Sequence, residues 1–159
     1  MSLPERAEID ELAASWTAAW TSDAGFAACC AADVSYEDPL SPEPRSGLAA
    51  LESHAARFRA AFPDARAETT APPLQRGSHA CIPWRLAGTQ TGPIAMLPAT
   101  DRFVTLHGLH YVELADGRIR RARGFFDLYD GACQLGLLPA RGGLGESALL
   151  LLRGFGLRR

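Results

Sequence analysis

The chain is expected to fold as an α+β domain with its helices first and an antiparallel sheet after them. Three observations predict this. Apolar residues recur every three or four positions through the first third of the chain. The period then drops to two beyond Pro63, as in half-buried strands. Ala115-Asp116-Gly117 separates two such alternating runs, the signature of a tight hairpin. Helices grouped ahead of antiparallel strands are the mark of that class.

Residues ~5–22 read as a helix, with Ile9, Leu12, Ala13, Trp16 and Trp20 along one stripe. Asp23 to Gly25 interrupts it, and Gly25 to Ala31 is expected to form a short second helix. Val34 to Asp38 is a brief strand. Pro39 to Ser46 carries three prolines and is expected to be a loop. A further helix covers Gly47 to Ala61, with Leu51, Ala55, Phe58 and Phe62 inward, and Pro63 stops it. Arg66 to Ala71 is a strand, with a turn at Arg76-Gly77. His79 to Thr89 alternates, with Ala80, Ile82, Trp84 and Leu86 on one side. A loop containing Gly92, Pro93 and Pro98 leads into a long strand, Arg102 to Leu114. Its hairpin partner is Arg118 to Phe126. A short helix follows from Asp127 and ends near Leu137-Leu138-Pro139. A twisted sheet curling around one long helix makes a cone, whose apolar interior suits a small molecule. Residues 1–138 form this single domain.

Residues 139–159 are a tail. Gly142-Gly143-Leu144-Gly145 is a hinge and Ala148-Leu149-Leu150-Leu151-Leu152 is apolar. The tail is expected to pack on the domain or across a dimer. A role at a membrane surface, aided by Arg153, Arg158 and Arg159, is the lesser alternative.

Composition narrows the function. The 159 residues suit one domain, and the net charge of −2 gives no general attraction for nucleic acid. No apolar run is long enough to span a bilayer, and Met1-Ser2-Leu3-Pro4-Glu5-Arg6 lacks the features of a signal peptide. The cytoplasm is therefore the expected compartment. All sixteen basic residues are arginine. Without lysine, Schiff-base catalysis and covalent pyridoxal phosphate attachment are excluded. Without asparagine, N-glycosylation is excluded. Cys29, Cys30, Cys81 and Cys133 form no C-x-x-C and read as small buried hydrophobes in a reducing cell.

Tyr36-Glu37-Asp38-Pro39, followed by Glu43-Pro44-Arg45-Ser46-Gly47, is the first chemically distinctive segment. A residue before proline is held extended, which fixes the direction of the Asp38 side chain. The segment resembles the base-bearing loop of bacterial ketosteroid isomerases. That resemblance implies that Asp38 moves a proton between carbons beside a ketone. The second segment is Arg123-Gly124-Phe125-Phe126-Asp127 with Gln134-Leu135-Gly136. Together with Trp16 and Trp20, Phe62-Pro63-Asp64 and Gly88-Thr89, it resembles the SnoaL-like polyketide cyclases over residues ~10–138. The resemblance implies the nuclear-transport-factor-2-like fold (a cystatin-like α+β barrel) and a homodimer formed through the open sheet face. It also implies cofactor-independent chemistry on an apolar carbonyl compound, with Asp127 as base for an aldol closure.

Two positions depart from the isomerase pattern. Trp16 stands where its oxyanion tyrosine would be, and Leu109 where an aspartate precedes the His-aromatic pair, here His110-Tyr111. Replacement donors are expected among Trp84, His107, Tyr111 and Arg123. Positions 123, 125 and 127 share a strand face, so Arg123, Phe125 and Asp127 are expected to point inward together. His107 shares a face with Phe103, Thr105 and Tyr111 and is expected to assist Asp127. His107 and His110 form H-x-x-H, but on a strand they face opposite sides, so no metal site is expected. Trp16, Tyr36, His54, Trp84, Tyr111 and Phe125 are the expected lining. The bland alternatives are an Asp38 that ties down its own loop and an Asp127 that caps a helix. Besides an isomerase or cyclase, a non-catalytic binding module for an apolar molecule and a structural dimerisation domain remain open.

Overall fold

The protein is described here from a computed structural model covering residues 6–94 and 97–154. Met1 to Glu5, with the start of the expected first helix, and Arg158 and Arg159 lie outside the described residues.

The first helix, α1, runs Arg6–Ala19. The chain then turns, without the expected second helix, into β1 at Cys30–Asp38. Gly25, at φ +73°, bends the chain so that the Phe26 N–H reaches the Glu52 carboxylate at 2.6 Å. That contact ties the turn to the next helix instead of letting it wind into its own. Ser41–Ser46, expected as loop, is a strand, β2, paired antiparallel with β1. Pro42 and Pro44 have no N–H to donate, but β2 ends the sheet, and an edge strand tolerates prolines because one of its sides bonds nothing.

Helix α2 is Leu48–Ala61. Then come β3 (Arg66–Thr69), β4 (Leu74–Arg76), β5 (His79–Thr89), β6 (Phe103–Ala115) and β7 (Arg118–Phe126). Asp116 and Gly117 both have positive φ, 51° and 73°, as the two-residue turn between β6 and β7 requires. Helix α3 spans Leu128–Gln134 and α4 spans Leu144–Leu152.

One sheet holds all seven strands in the order β2-β1-β7-β6-β5-β3, with β4 also on β5. Among the described residues only the β1–β7 pairing is parallel. The face carrying Ile82, Val112 and Ile119 packs with Ile9 and Leu12 of α1 and Leu51 and Ala55 of α2 into the main core. A second cluster, around Phe62 and Val104, fills the far end.

Two features of β6 and β7 decide what faces the core. The pairing slips between Glu113 and Leu114, so β7 carries an extra residue near Arg120. An extra residue reverses the in–out alternation beyond it. Ile119 is buried, yet Ala122 and Gly124 follow it inward while Arg121, Arg123 and Phe125 face outward. On β6, His110, Val112 and Leu114 are inward, and His107 lies exposed on the other face.

Inward glycines make room for large rings. A β-carbon on Gly108 would run into the Trp84 ring and lie 2.6 Å from the Phe125 carbonyl oxygen. Gly108→Ala should therefore destabilise the protein by about 1–3 kcal/mol, measured by urea unfolding. A loss below about 0.5 kcal/mol, the ordinary range for a surface change, would contradict this packing.

Candidate active site

Asp38 is the last residue of β1, held extended ahead of Pro39 and directed inward. Its side chain is only 5 % exposed. A carboxylate so buried needs partners, because leaving water unpaired costs several kcal/mol. It has three. Oδ2 lies 2.9 Å from His54 Nε2, on α2. Oδ1 accepts the Leu40 N–H at 2.8 Å. The Tyr36 hydroxyl, two residues back on the same face of β1, stands near it and helps to hold its charge.

Gly124 of β7 is the floor beneath this group. A β-carbon there would lie 2.9 Å from the Tyr36 hydroxyl, 3.2 Å from Asp38 Cβ and 3.4 Å from His110 Nε2. The bulge that turns Gly124 inward thus opens the space in which Tyr36, Asp38 and His110 converge. Around them stand three tryptophans. Trp20 lies 5.7 Å from His110 with its ring within 6° of parallel. Trp84 stacks on the same imidazole at 5.3 Å, and Trp16 meets it edge-on at 5.3 Å. Trp20 also meets the edge of His54.

These surroundings set the charges. Burial pushes the Asp38 carboxyl up, but the hydrogen bond and charge of His54, with the Tyr36 hydroxyl and the Leu40 bond, outweigh it and hold the group below its ordinary value. Burial lowers His110 to about 3, against a weaker opposing pull from Asp38, so this imidazole is neutral at physiological pH. Burial, with the nearby Asp38 charge, raises Tyr36 well above the ordinary phenol, so it stays protonated. Asp38 is therefore an anion beside a neutral His110 imidazole and a neutral Tyr36 phenol. Four buried nitrogens beside it, Nε1 of Trp16, Trp20 and Trp84 and Nδ1 of His110, have no hydrogen-bond partner among the described residues. Orphaned groups of this kind are uncommon and ask for an occupant.

Several expected site residues lie elsewhere. Asp127 is not inside. It caps α3, accepting the Asp130 N–H at 2.9 Å, and pairs with Arg141 at 2.8 Å, its side chain 49 % exposed. Arg123 is outward, 3.5 Å from Glu37 and stacked over Phe125, itself exposed. His107 is exposed, and Tyr111 bonds His79 on that same outer face. The cause in β7 is the bulge. In β6 it is the choice of face, which residue types could have settled. Val104, Leu106, His110, Val112 and Leu114 form the more apolar set, and that set is inward. His110 is the site residue that sequence reasoning passed over. Asp38, Tyr36, His54, Trp16 and Trp84 do come together as expected. Among the described residues no three His, Cys, Asp or Glu side chains form a metal-binding group.

The sequence signature of the SnoaL-like polyketide cyclases matches residues 10–135. The chain belongs to that family. Solved structures agree on the fold. TsrD from Streptomyces laurentii superposes with a TM-score of 0.76 at 22% identity, covering 86% of this chain and 100% of its own. A candidate SnoaL-like polyketide cyclase from Jannaschia sp. CCS1 gives 0.72 at 20% identity, over 88% of this chain and 99% of its own. A protein of ketosteroid isomerase-like fold from Catenulispora acidiphila, in complex with trimethylamine, gives 0.67 at 21% identity, over 80% and 93%. At these identities the likeness establishes the ketosteroid isomerase-like cone and not an activity. No curated protein matches the chain. No helix among the described residues of this SnoaL-like protein is long and apolar enough to cross a membrane.

The depressed Asp38 value has a consequence for acid stability. The folded protein holds this proton less readily than the unfolded chain does. The stabilisation is complete above the ordinary value of 3.8 and fades as pH falls through the lower folded value. Wild type should lose stability relative to Asp38→Asn as pH drops below 3.8, read by thermal melts at stepped pH. A difference that stays constant would contradict the assignment.

Proposed function

We propose that the protein is a cofactor-independent acid–base enzyme acting on a small apolar carbonyl compound, with Asp38 and His54 as its proton-transfer pair. The observation that carries this reading is the buried Asp38 carboxylate bonded to His54 among packed aromatic rings. A C–H beside a carbonyl is a weak acid. Its removal needs a base sheltered from water and donors for the enolate oxygen.

Asp38 itself is a poor acceptor, because three donors already stabilise its charge. Its role is to hold the Nε2 side of His54 and to stabilise the imidazolium that forms. His54 Nδ1 then takes the carbon-bound proton, the C–H electron pair becomes the enolate C=C bond, and the carbonyl π pair moves onto oxygen. The neutral His110 imidazole and the unpartnered indole N–H groups are the donors available to that oxygen. A neutral donor suits this task, since it strengthens its bond as charge develops without binding an anion beforehand. Returning the proton to another carbon completes an isomerisation. If the enolate carbon instead attacks a second carbonyl of the same molecule, a C–C bond forms. The new alkoxide then takes the proton from His54, which is an aldol closure. The membership of the cyclase family favours the second outcome.

The test is deuterium incorporation into a panel of cyclic ketones and linear diketones in heavy water, followed by NMR. Wild type should exchange. Asp38→Asn and His54→Gln should each lose at least about 100-fold while still unfolding cooperatively, at a lower melting temperature because the buried pair is broken. Asp127→Asn, altered only at a surface cap, should exchange as wild type does. Loss in Asp127→Asn with full activity in both other variants would overturn the assignment. Saturable binding of the same ketones with no exchange by wild type would make this a binding site.

A further inference from the structure

Helix α4 has no buried residue. Leu144 is 91 % exposed and Leu152 86 %, with Leu149, Leu150 and Leu151 between 41 % and 50 %. An apolar surface of this kind, left open to water, marks a site of interaction. The root of the helix is nonetheless fixed. Glu146 accepts bonds from the Tyr129 hydroxyl and the Gly142 N–H. Arg141 lies over the Tyr129 ring at 4.7 Å and bonds Asp127, and Cys133 Sγ bonds the Pro139 carbonyl at 3.2 Å. These contacts hold the arm in place and leave its leucine turn projecting.

Two features say what covers it. Leu149 to Leu152 are consecutive, so their side chains point about 100° apart and ring the whole helix. A flat protein surface covers one side of such a helix, whereas hydrocarbon covers every side. The second feature is charge. Residues 139–159 contain four arginines (Arg141, Arg153, Arg158 and Arg159) and one acid, Glu146, in a chain whose net charge is −2. Arg153 follows the last leucine directly. An arginine at that place can keep its guanidinium at the headgroups while its stem lies along the acyl chains.

We propose that α4 is an anchor that seats the protein on an anionic phospholipid surface. Nine residues extend about 14 Å, less than half of a bilayer's hydrocarbon thickness of about 30 Å, so the helix enters one leaflet and does not span. The leucines supply apolar burial, and the arginines supply attraction to lipid phosphates. The anchor does not depend on the chemistry proposed for Asp38 and His54.

The test is co-sedimentation of the whole protein with vesicles of pure phosphatidylcholine and of phosphatidylcholine mixed in equal parts with phosphatidylglycerol. Binding to the mixed vesicles should clearly exceed binding to the neutral ones and should fall as salt is raised. The Leu150→Ser, Leu151→Ser double variant should bind about tenfold more weakly, and Arg153→Ser about fivefold. Both should melt as wild type does, since the altered side chains are exposed. Absence of sedimentation with the mixed vesicles would overturn the proposal, as would equal binding to both vesicle types. So would self-association in light scattering that the leucine variant abolishes, if no vesicle binding accompanies it.

Discussion

A single carboxylate buried among aromatic rings governs this structure. Bringing Asp38 out of water is tolerable only because His54, Tyr36 and the Leu40 N–H surround it. Each partner constrains a different element. The Leu40 bond needs the turn that Pro39 begins. The His54 bond needs α2 to lie across the end of β1. Gly124 must also remain without a side chain, because any β-carbon there would push into Tyr36 and Asp38.

The same packing sets the two inward histidines at different depths. His54 is partly accessible, 15 % exposed, and faces the carboxylate directly. His110 is sealed between indoles and the Gly124 backbone, where burial outweighs the attraction of Asp38 and keeps it neutral. One imidazole thus meets the carboxylate at the edge of the cluster, and the other lies sealed within it.

Much of this was legible in the residues themselves. The stripe of Ile9, Leu12 and Trp16 gives α1, and the alternation through Ile82, Trp84 and Leu86 gives β5 with its inward side correct. Asp116-Gly117 gives the hairpin, and Tyr36-Glu37-Asp38-Pro39 gives the place of the carboxylate. What was not legible depends on tertiary pairing. Pro42 and Pro44 read as loop until β2 is known to be an edge. The extra residue in β7 leaves no local mark, yet it turns Arg123 and Phe125 outward and Gly124 inward. Asp127 carries a helix-capping pattern and a catalytic resemblance at once, and only its bonds to Asp130 and Arg141 separate them.

The most direct test is NMR titration of the carboxyl carbon of Asp38 together with the ring nitrogens of His54 and His110. The account predicts that Asp38 titrates below 3.8, that His54 keeps a proton on Nε2 toward it, and that His110 stays neutral down to about 3. An Asp38 titration at or above 3.8, with His54 nitrogen shifts unchanged in Asp38→Asn, would contradict it.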